Sequence, residues 1–181
     1  WIGTQGSKGI TRDQYSGVLF GLALTHRHVP QLRAEAAART QQIIDYLVAV
    51  DWVITEARPF SPTTWLMINY QKLAFLLIGE QVAPGRYRAE LQRWGVVAET
   101  AWLGLWIATA SPEKYYKFNL NHLALYNYFK LESDPGRYQD VLRGNAIIRR
   151  YTGHHHNPHL NLIQTSIDSS LSPVTHPSVR E

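Results

Sequence analysis

Apolar residues recur at helical spacing along most of this chain, and that pattern predicts an all-α fold. A capping-box sequence at Thr11–Gln14 is followed by apolar residues from Val18 to Ala23, which predicts a first helix from about Arg12 to His28. Pro30 and the alanine-rich segment after it predict a second helix that ends near Val50.

The segment from Asp51 to Thr64 has a different composition. The β-branched run Val53–Thr55 precedes two prolines, Pro59 and Pro62, and such a mixture is typical of a long connection with a short extended piece. We therefore expect sheet to be minor and confined to the connection from Asp51 to Pro62.

Four more long helices are predicted after this connection. Their approximate ranges are Trp65–Gly79, Tyr87–Ala110, Pro112–Glu132 and Pro135–Gly153. The second of these is apolar on almost every side, so we expect it to be buried between layers. A further short helix begins near His159, and the tail at about 172–181 is irregular.

A weak repeat of about fifty residues organises these helices. The turn sequence Pro84–Tyr87 recurs as Pro135–Tyr138, and Leu73-Ala74 recurs as Leu123-Ala124. Self-similarity at a fixed period is typical of stacked supersecondary units. The repeat predicts a single helical domain over residues 1–181, built from antiparallel helix pairs at about 11–50, 65–110 and 112–153. It also predicts that Tyr87 and Tyr138 pack their rings against the preceding helix.

Composition limits the classes of function. The chain has no Cys, which excludes thiolate chemistry and disulfides. Its net charge of +4 is mild and its cations are scattered, which argues against a nucleic-acid partner. No apolar stretch approaches the roughly 20 residues of a membrane helix, so we expect a soluble chain without a membrane partner. Because no phosphate-binding glycine loop or similar motif is present, no cofactor is predicted.

Alternating helix pairs over residues 11–153 resemble the (α/α) toroid superfamily of glycan-active enzymes, which includes polysaccharide lyases and glycoside hydrolases. A complete toroid has more than three pairs. The chain is therefore part of such a fold, completed by another polypeptide, or an open toroid-like arc, or a compact helical domain of another kind.

In a stacked arc, the first helix of each pair starts at the same rim, so polar and aromatic residues near those starts are expected to converge. Such residues suit a carbohydrate or another polar substrate, which needs rings for stacking and planar hydrogen-bonding groups. The expected substrate-binding residues are Arg12, Gln14, Trp65, Tyr116, Asn119, Asn121, His155 and Asn157.

Asn121-His122, with Tyr126 one turn later, resembles the Asn-His element of toroid lyases, although Leu120 separates Asn119 from Asn121 where the lyases have adjacent asparagines. The resemblance implies that an Asn neutralises a uronate carboxylate and that His122 or Tyr126 moves the proton alpha to it. The alternative is that His122 packs between helices with its ring nitrogens satisfied.

Asp13 is the alternative catalytic carboxylate. A helix N-terminus would keep it ionised, which suits a base or nucleophile better than a proton donor, and the alternative is an ordinary first-turn acid beside a cap. The histidines at 154–156 and His159 do not predict a metal site, because Pro158 interrupts the helix that would align them. The sequence therefore predicts a lyase or hydrolase with His122, Tyr126 and Asp13 as catalytic residues. The alternative function is a non-catalytic α-helical interaction domain within a larger assembly.

Overall fold

The computed structural model shows a largely helical chain, as the apolar spacing predicted. It describes residues 12–56, 63–66, 69–95, 122–124, 126–127, 130–132, 135–136, 138–139, 142, 145–146, 149 and 157–167. Every statement about structure below concerns these residues.

The first two helices lie where the sequence placed them. Helix α1 spans Arg12–His28, and a 3₁₀ turn at Pro30–Leu32 leads into helix α2 at Arg33–Ala49. The Arg33 Nε donates to the carbonyl of His26 at 3.1 Å, which satisfies one of the free carbonyls at the end of α1. The two helices pack against each other.

A two-stranded antiparallel sheet follows, and its second strand corrects the prediction. Strand β1 is Val53–Glu56 and strand β2 is Thr63–Leu66, with Ile54 opposite Trp65. The predicted helix start at Trp65 is wrong, and sheet extends past Pro62. β-branched and aromatic residues at 63–65 favour a strand, and β1 supplies the partner that a strand requires.

The chain leaves α2 through two residues with left-handed backbone. Asp51 has φ 47° and Trp52 has φ 64°, although neither is glycine. The amide of Trp52 donates to the carbonyl of Leu47 at 2.8 Å, which closes the helix end as in a Schellman motif. This turn directs the indole of Trp52 into the core, where it is fully buried.

The central element is helix α3, Asn69–Val82, in which residues 71–79 are all buried. Helix α4, Arg88–Gly95, buries Leu91 and exposes Arg88 and Gln92. The expectation that this helix is buried on every side is therefore wrong for 88–95, because charged residues occupy its outer face. Residues 96–110 lie outside the described part of the chain.

The C-terminal part of the described chain is also helical. Helical residues occur at 122–124, 126–127 and 130–131, here called the 122–131 segment, and again between 135 and 149. Helix α5 is Pro158–Ile167, and Asn157 caps it by accepting a hydrogen bond from the Leu160 amide at 3.2 Å. Among the described helices, none is long and apolar enough to cross a membrane.

The core is formed mainly by α1, α2, α3 and the turn into β1. Its largest fully buried side chains are Leu19, Ile44, Leu47, Trp52, Leu73, Leu76 and Ile78. The ring of Tyr87 lies directly over Gly79 of α3, as the repeat predicted for a tyrosine packed on the preceding helix. Tyr138 is a half-buried helical residue. The structural equivalence of the two tyrosines stays a prediction.

Candidate functional site

A buried polar pair joins the N-terminal parts of two helices. The Gln71 Nε2 donates to the Ser16 Oγ at 3.3 Å, and the two residues are 55 positions apart. Ser16 is the fifth residue of α1 and Gln71 is the third residue of α3. The N-terminal parts of α1 and α3 therefore lie together.

A second buried polar pair connects the 122–131 segment to α5. The Gln164 Nε2 lies 3.0 Å from the His122 Nε2, and His122 has no exposed surface. If the amide donates, the His122 Nε2 is unprotonated and the proton of the neutral ring is on Nδ1. The geometry therefore matches a neutral imidazole held in one orientation by Gln164.

An aromatic contact brings the segment that carries His122 against the face of α1 that carries Ser16. The rings of Phe20 and Tyr126 meet edge to face with their centroids 5.9 Å apart. Ser16 and Phe20 are four residues apart on α1, and His122 and Tyr126 are four apart on the 122–131 segment, so each couple shares a helix face. The face that carries Ser16 is thus the face that meets the segment carrying His122.

The predicted site residues differ in how far the structure describes them. His122 and Tyr126 lie close to α1 and α5, as described above. Arg12 and Asp13 form the first turn of α1 and Trp65 lies in β2, but their side chains are outside the described part. Tyr116, Asn119, Asn121 and His155 are entirely outside the described residues.

Two predicted substrate-binding residues have described side chains. Gln14 is exposed on the first turn of α1. The carbonyl oxygen of the Asn157 side chain caps α5, so this residue has a structural role that the sequence analysis did not assign. Asn157 and Gln164 are seven residues apart, which puts the start of α5 two helical turns from the His122 contact.

Sequence reasoning missed Ser16, Gln71 and Gln164. Each is a polar residue whose helical neighbours are apolar and buried, such as Leu19 beside Ser16 and Leu160 beside Gln164. A polar residue on the buried face of an amphipathic helix is the available signal. The identity of its partner does not follow from that signal, because the partner comes from a distant helix.

A separate charged cluster lies around Trp94. The Lys72 Nζ is 3.4 Å from the centre of the Trp94 ring, and Arg93 also stacks on that ring while it pairs with Asp51 at 3.0 Å. Burial lowers the pKa of Lys72, while the nearby carboxylates of Asp51 and Glu90 oppose this effect. Since cations and acids balance, the cluster serves to join α4 to α3 and the Asp51 turn.

Several buried polar atoms have no hydrogen-bond partner, among them the Gln71 Oε1 and the Asn145 Oδ1. An orphaned buried acceptor costs about 1–3 kcal/mol, so each such atom needs an explanation. Tyr15 lies next to Ser16, the hydrogen-bond partner of Gln71. Burial is the main cause that raises the pKa of the Tyr15 phenol, and the nearby Tyr46 adds to this effect. No group of three or more His, Asp or Glu side chains in the described ranges could hold a metal ion.

Comparison with known proteins gives no assignment. No protein-family profile, curated protein or solved structure matches the chain significantly.

Proposed function

We propose that this chain binds a carbohydrate in a polar interior bounded by α1, α3, the 122–131 segment and α5. The observation that supports the proposal is the presence of two buried polar pairs, Ser16–Gln71 and His122–Gln164, on helices that meet through Phe20 and Tyr126. Amide, hydroxyl, imidazole and aromatic groups together are the chemistry that sugar recognition uses.

Within this proposal the chain is a toroid-like lyase or hydrolase, and His122 is the group that transfers the proton. Gln164 fixes the orientation of the ring and, as a donor, occupies the lone pair of the Nε2, so His122 acts as a general base only when this hydrogen bond is broken. Because the imidazole is fully buried, a substrate reaches it only when the polar interior opens. Tyr126 and Asp13 are the other proposed catalytic residues.

A non-catalytic interaction domain is the second candidate, and the exposed apolar side chains favour it. Val29 and Leu32 are exposed at the turn between α1 and α2, and Leu162 of α5 is 62% exposed. Because exposed apolar groups mark a protein interface only when they form one patch, this candidate requires these side chains to lie on one surface. In this reading, His122 contributes only to packing.

One variant with a matched control distinguishes the two functions. H122A is compared with wild type and with H28A, since His28 is exposed at the end of α1 and far in sequence from the proposed residues. Polygalacturonate, hyaluronan and xylan are tested for cleavage by reducing-end release and by the ultraviolet absorbance of unsaturated products.

For an enzyme, H122A lowers turnover by about 10²–10⁴-fold while H28A retains it, with both proteins folded by circular dichroism. Unchanged activity per folded H122A molecule would remove His122 from the mechanism. Wild type that neither binds nor cleaves the three polysaccharides would count against the carbohydrate proposal and favour the interaction domain.

A further inference from the structure

One terminal atom of the Gln71 side-chain amide has a hydrogen-bond partner, and the other has none. The side chain is 3% exposed, and its Nε2 donates to the Ser16 Oγ at 3.3 Å. Its Oε1 is buried and has no hydrogen-bond partner. The interface between α1 and α3 therefore contains an acceptor that receives no hydrogen.

In the orientation described, the Nε2 is the end that donates and the Oε1 is the end without a partner. The assignment of the two atoms matters, because a reversed amide would accept from Ser16 and would place a donor where the Oε1 now lies.

Packing alone does not account for a glutamine at this position. Residues 71–79 of α3 are all buried, and Leu73 and Leu76 are among the largest buried side chains of the core. A leucine of similar size would avoid the cost of an unsatisfied polar group. Groups that oppose stability in this way are typical of functional sites.

The location of Gln71 connects it to the proposed site. Its partner Ser16 is one helical turn from Phe20 on the same face of α1, and Phe20 contacts Tyr126. The Gln71 amide therefore lies, through its Nε2, against the face of α1 that meets the segment carrying His122.

We propose that the Gln71 Oε1 accepts a hydrogen bond from a hydroxyl group of the bound carbohydrate, with Ser16 holding the amide in place. This inference rests on the proposed carbohydrate function. A carbonyl oxygen accepts from a hydroxyl and repels a carboxylate. Gln71 therefore contacts a neutral hydroxyl of the sugar, and any uronate carboxylate is bound elsewhere.

The test compares Q71L with the control T40V. Thr40 of α2 is also fully buried, and its Oγ1 also lacks a hydrogen-bond partner. T40V removes only an unsatisfied hydroxyl and should melt at or above the wild-type temperature without ligand, whereas Q71L also removes the hydrogen bond to Ser16 and should melt close to wild type. Binding of cellohexaose, xylohexaose, chitohexaose and hexagalacturonate is then measured by calorimetry.

For each oligosaccharide that wild type binds, we expect Q71L to bind about 3- to 10-fold more weakly and T40V to bind as wild type does. Equal binding by Q71L and wild type overturns the inference and leaves the carbohydrate proposal intact. A Q71L protein that melts well below T40V also overturns it, since Gln71 would then be a structural residue. Wild type that binds none of the four probes and cleaves none of the three polysaccharides refutes the carbohydrate proposal itself.

Discussion

The phenol of Tyr87 donates to the Asp45 Oδ1 at 2.9 Å, which joins the turn after α3 to the end of α2. Arg86 also donates hydrogen bonds to both carboxylate oxygens of Asp45, and its Nη2 lies 2.8 Å from the Oδ2. Glu80 of α3 accepts hydrogen bonds from the backbone amides of Gly85 and Tyr87. The turn that the sequence marks as a repeat is therefore fixed from both sides.

Removing the Tyr87 hydroxyl should weaken this connection without creating a cavity. We expect Y87F to lower the free energy of unfolding by about 1 kcal/mol, since Asp45 keeps its bonds to Arg86. Urea denaturation measures the change. Y46F is the control, because Tyr46 is exposed on α2, and it should change stability less than Y87F. Equal effects would mean that the Tyr87–Asp45 bond contributes nothing.

Gly79 is required because the Tyr87 ring lies on it. A Cβ at this position would be 2.6 Å from the ring Cδ2 and 3.0 Å from the Ile44 Cδ1. Since neither the buried ring nor Ile44 can move far in a packed core, we expect G79A to destabilise the protein by about 1–3 kcal/mol.

The control for G79A is an alanine at an exposed glycine of α1. A Cβ at Gly21 meets nothing within 4 Å. Since alanine favours a helix over glycine, G21A should stabilise the protein by up to about 1 kcal/mol. Thermal melting measures both variants, and a loss of stability in G21A would show that the face around Gly21 is covered.

Stability should fall at both extremes of pH through the same contact. The hydrogen bond from Arg86 is the main cause that holds the pKa of Asp45 below its usual value. Because the folded pKa is lowered, ionised Asp45 stabilises the fold above about pH 4, and that contribution is lost as the pH falls through the folded pKa. D45N should therefore show a flatter stability profile in acid, measured by urea midpoints.

At high pH the responsible group is Tyr87. Burial, followed by the hydrogen bond to Asp45, raises its pKa to about 12. Its contribution is complete below the ordinary tyrosine pKa of about 10 and is lost as the pH rises from there toward about 12. In a tyrosinate absorbance titration, wild type should show a late-titrating group that Y87F lacks. An unchanged titration in Y87F would assign that group to another tyrosine.

Local chemistry made part of this fold predictable. The capping box and the helical spacing gave α1 from about Arg12 to His28, and the helix predicted near His159 begins one residue earlier, at Pro158. The left-handed residues Asp51 and Trp52 were not predictable, because neither residue type requires positive φ. The strand at Thr63–Leu66 was missed because its partner β1 is needed to stabilise it.

The candidate site was less accessible to sequence reasoning. His122 and Tyr126 were proposed from a short motif and stay a prediction, whereas Gln71 and Gln164 contact partners 55 and 42 positions away. Such pairs depend on how helices pack, and no local pattern records which polar residues will face each other. The repeat gave the correct environment for Tyr87 but does not by itself establish an arc.

The last prediction concerns the energy that couples His122 to Gln164. In a double-mutant cycle of H122A, Q164A and the double variant, we expect a coupling free energy of about 1–2 kcal/mol from urea denaturation, because each single variant leaves the other polar group buried without its partner. A cycle of H122A with E35A, at an exposed residue of α2, is the control and should be additive within about 0.5 kcal/mol. Coupling below that level would mean that the 3.0 Å contact does not stabilise the fold.

If the coupling is strong, polysaccharide cleavage by Q164A shows whether the pair is catalytic or structural. If Q164A also slows polysaccharide cleavage and shifts its pH profile, Gln164 positions a catalytic His122, whereas strong coupling with unchanged cleavage per folded molecule makes the pair purely structural.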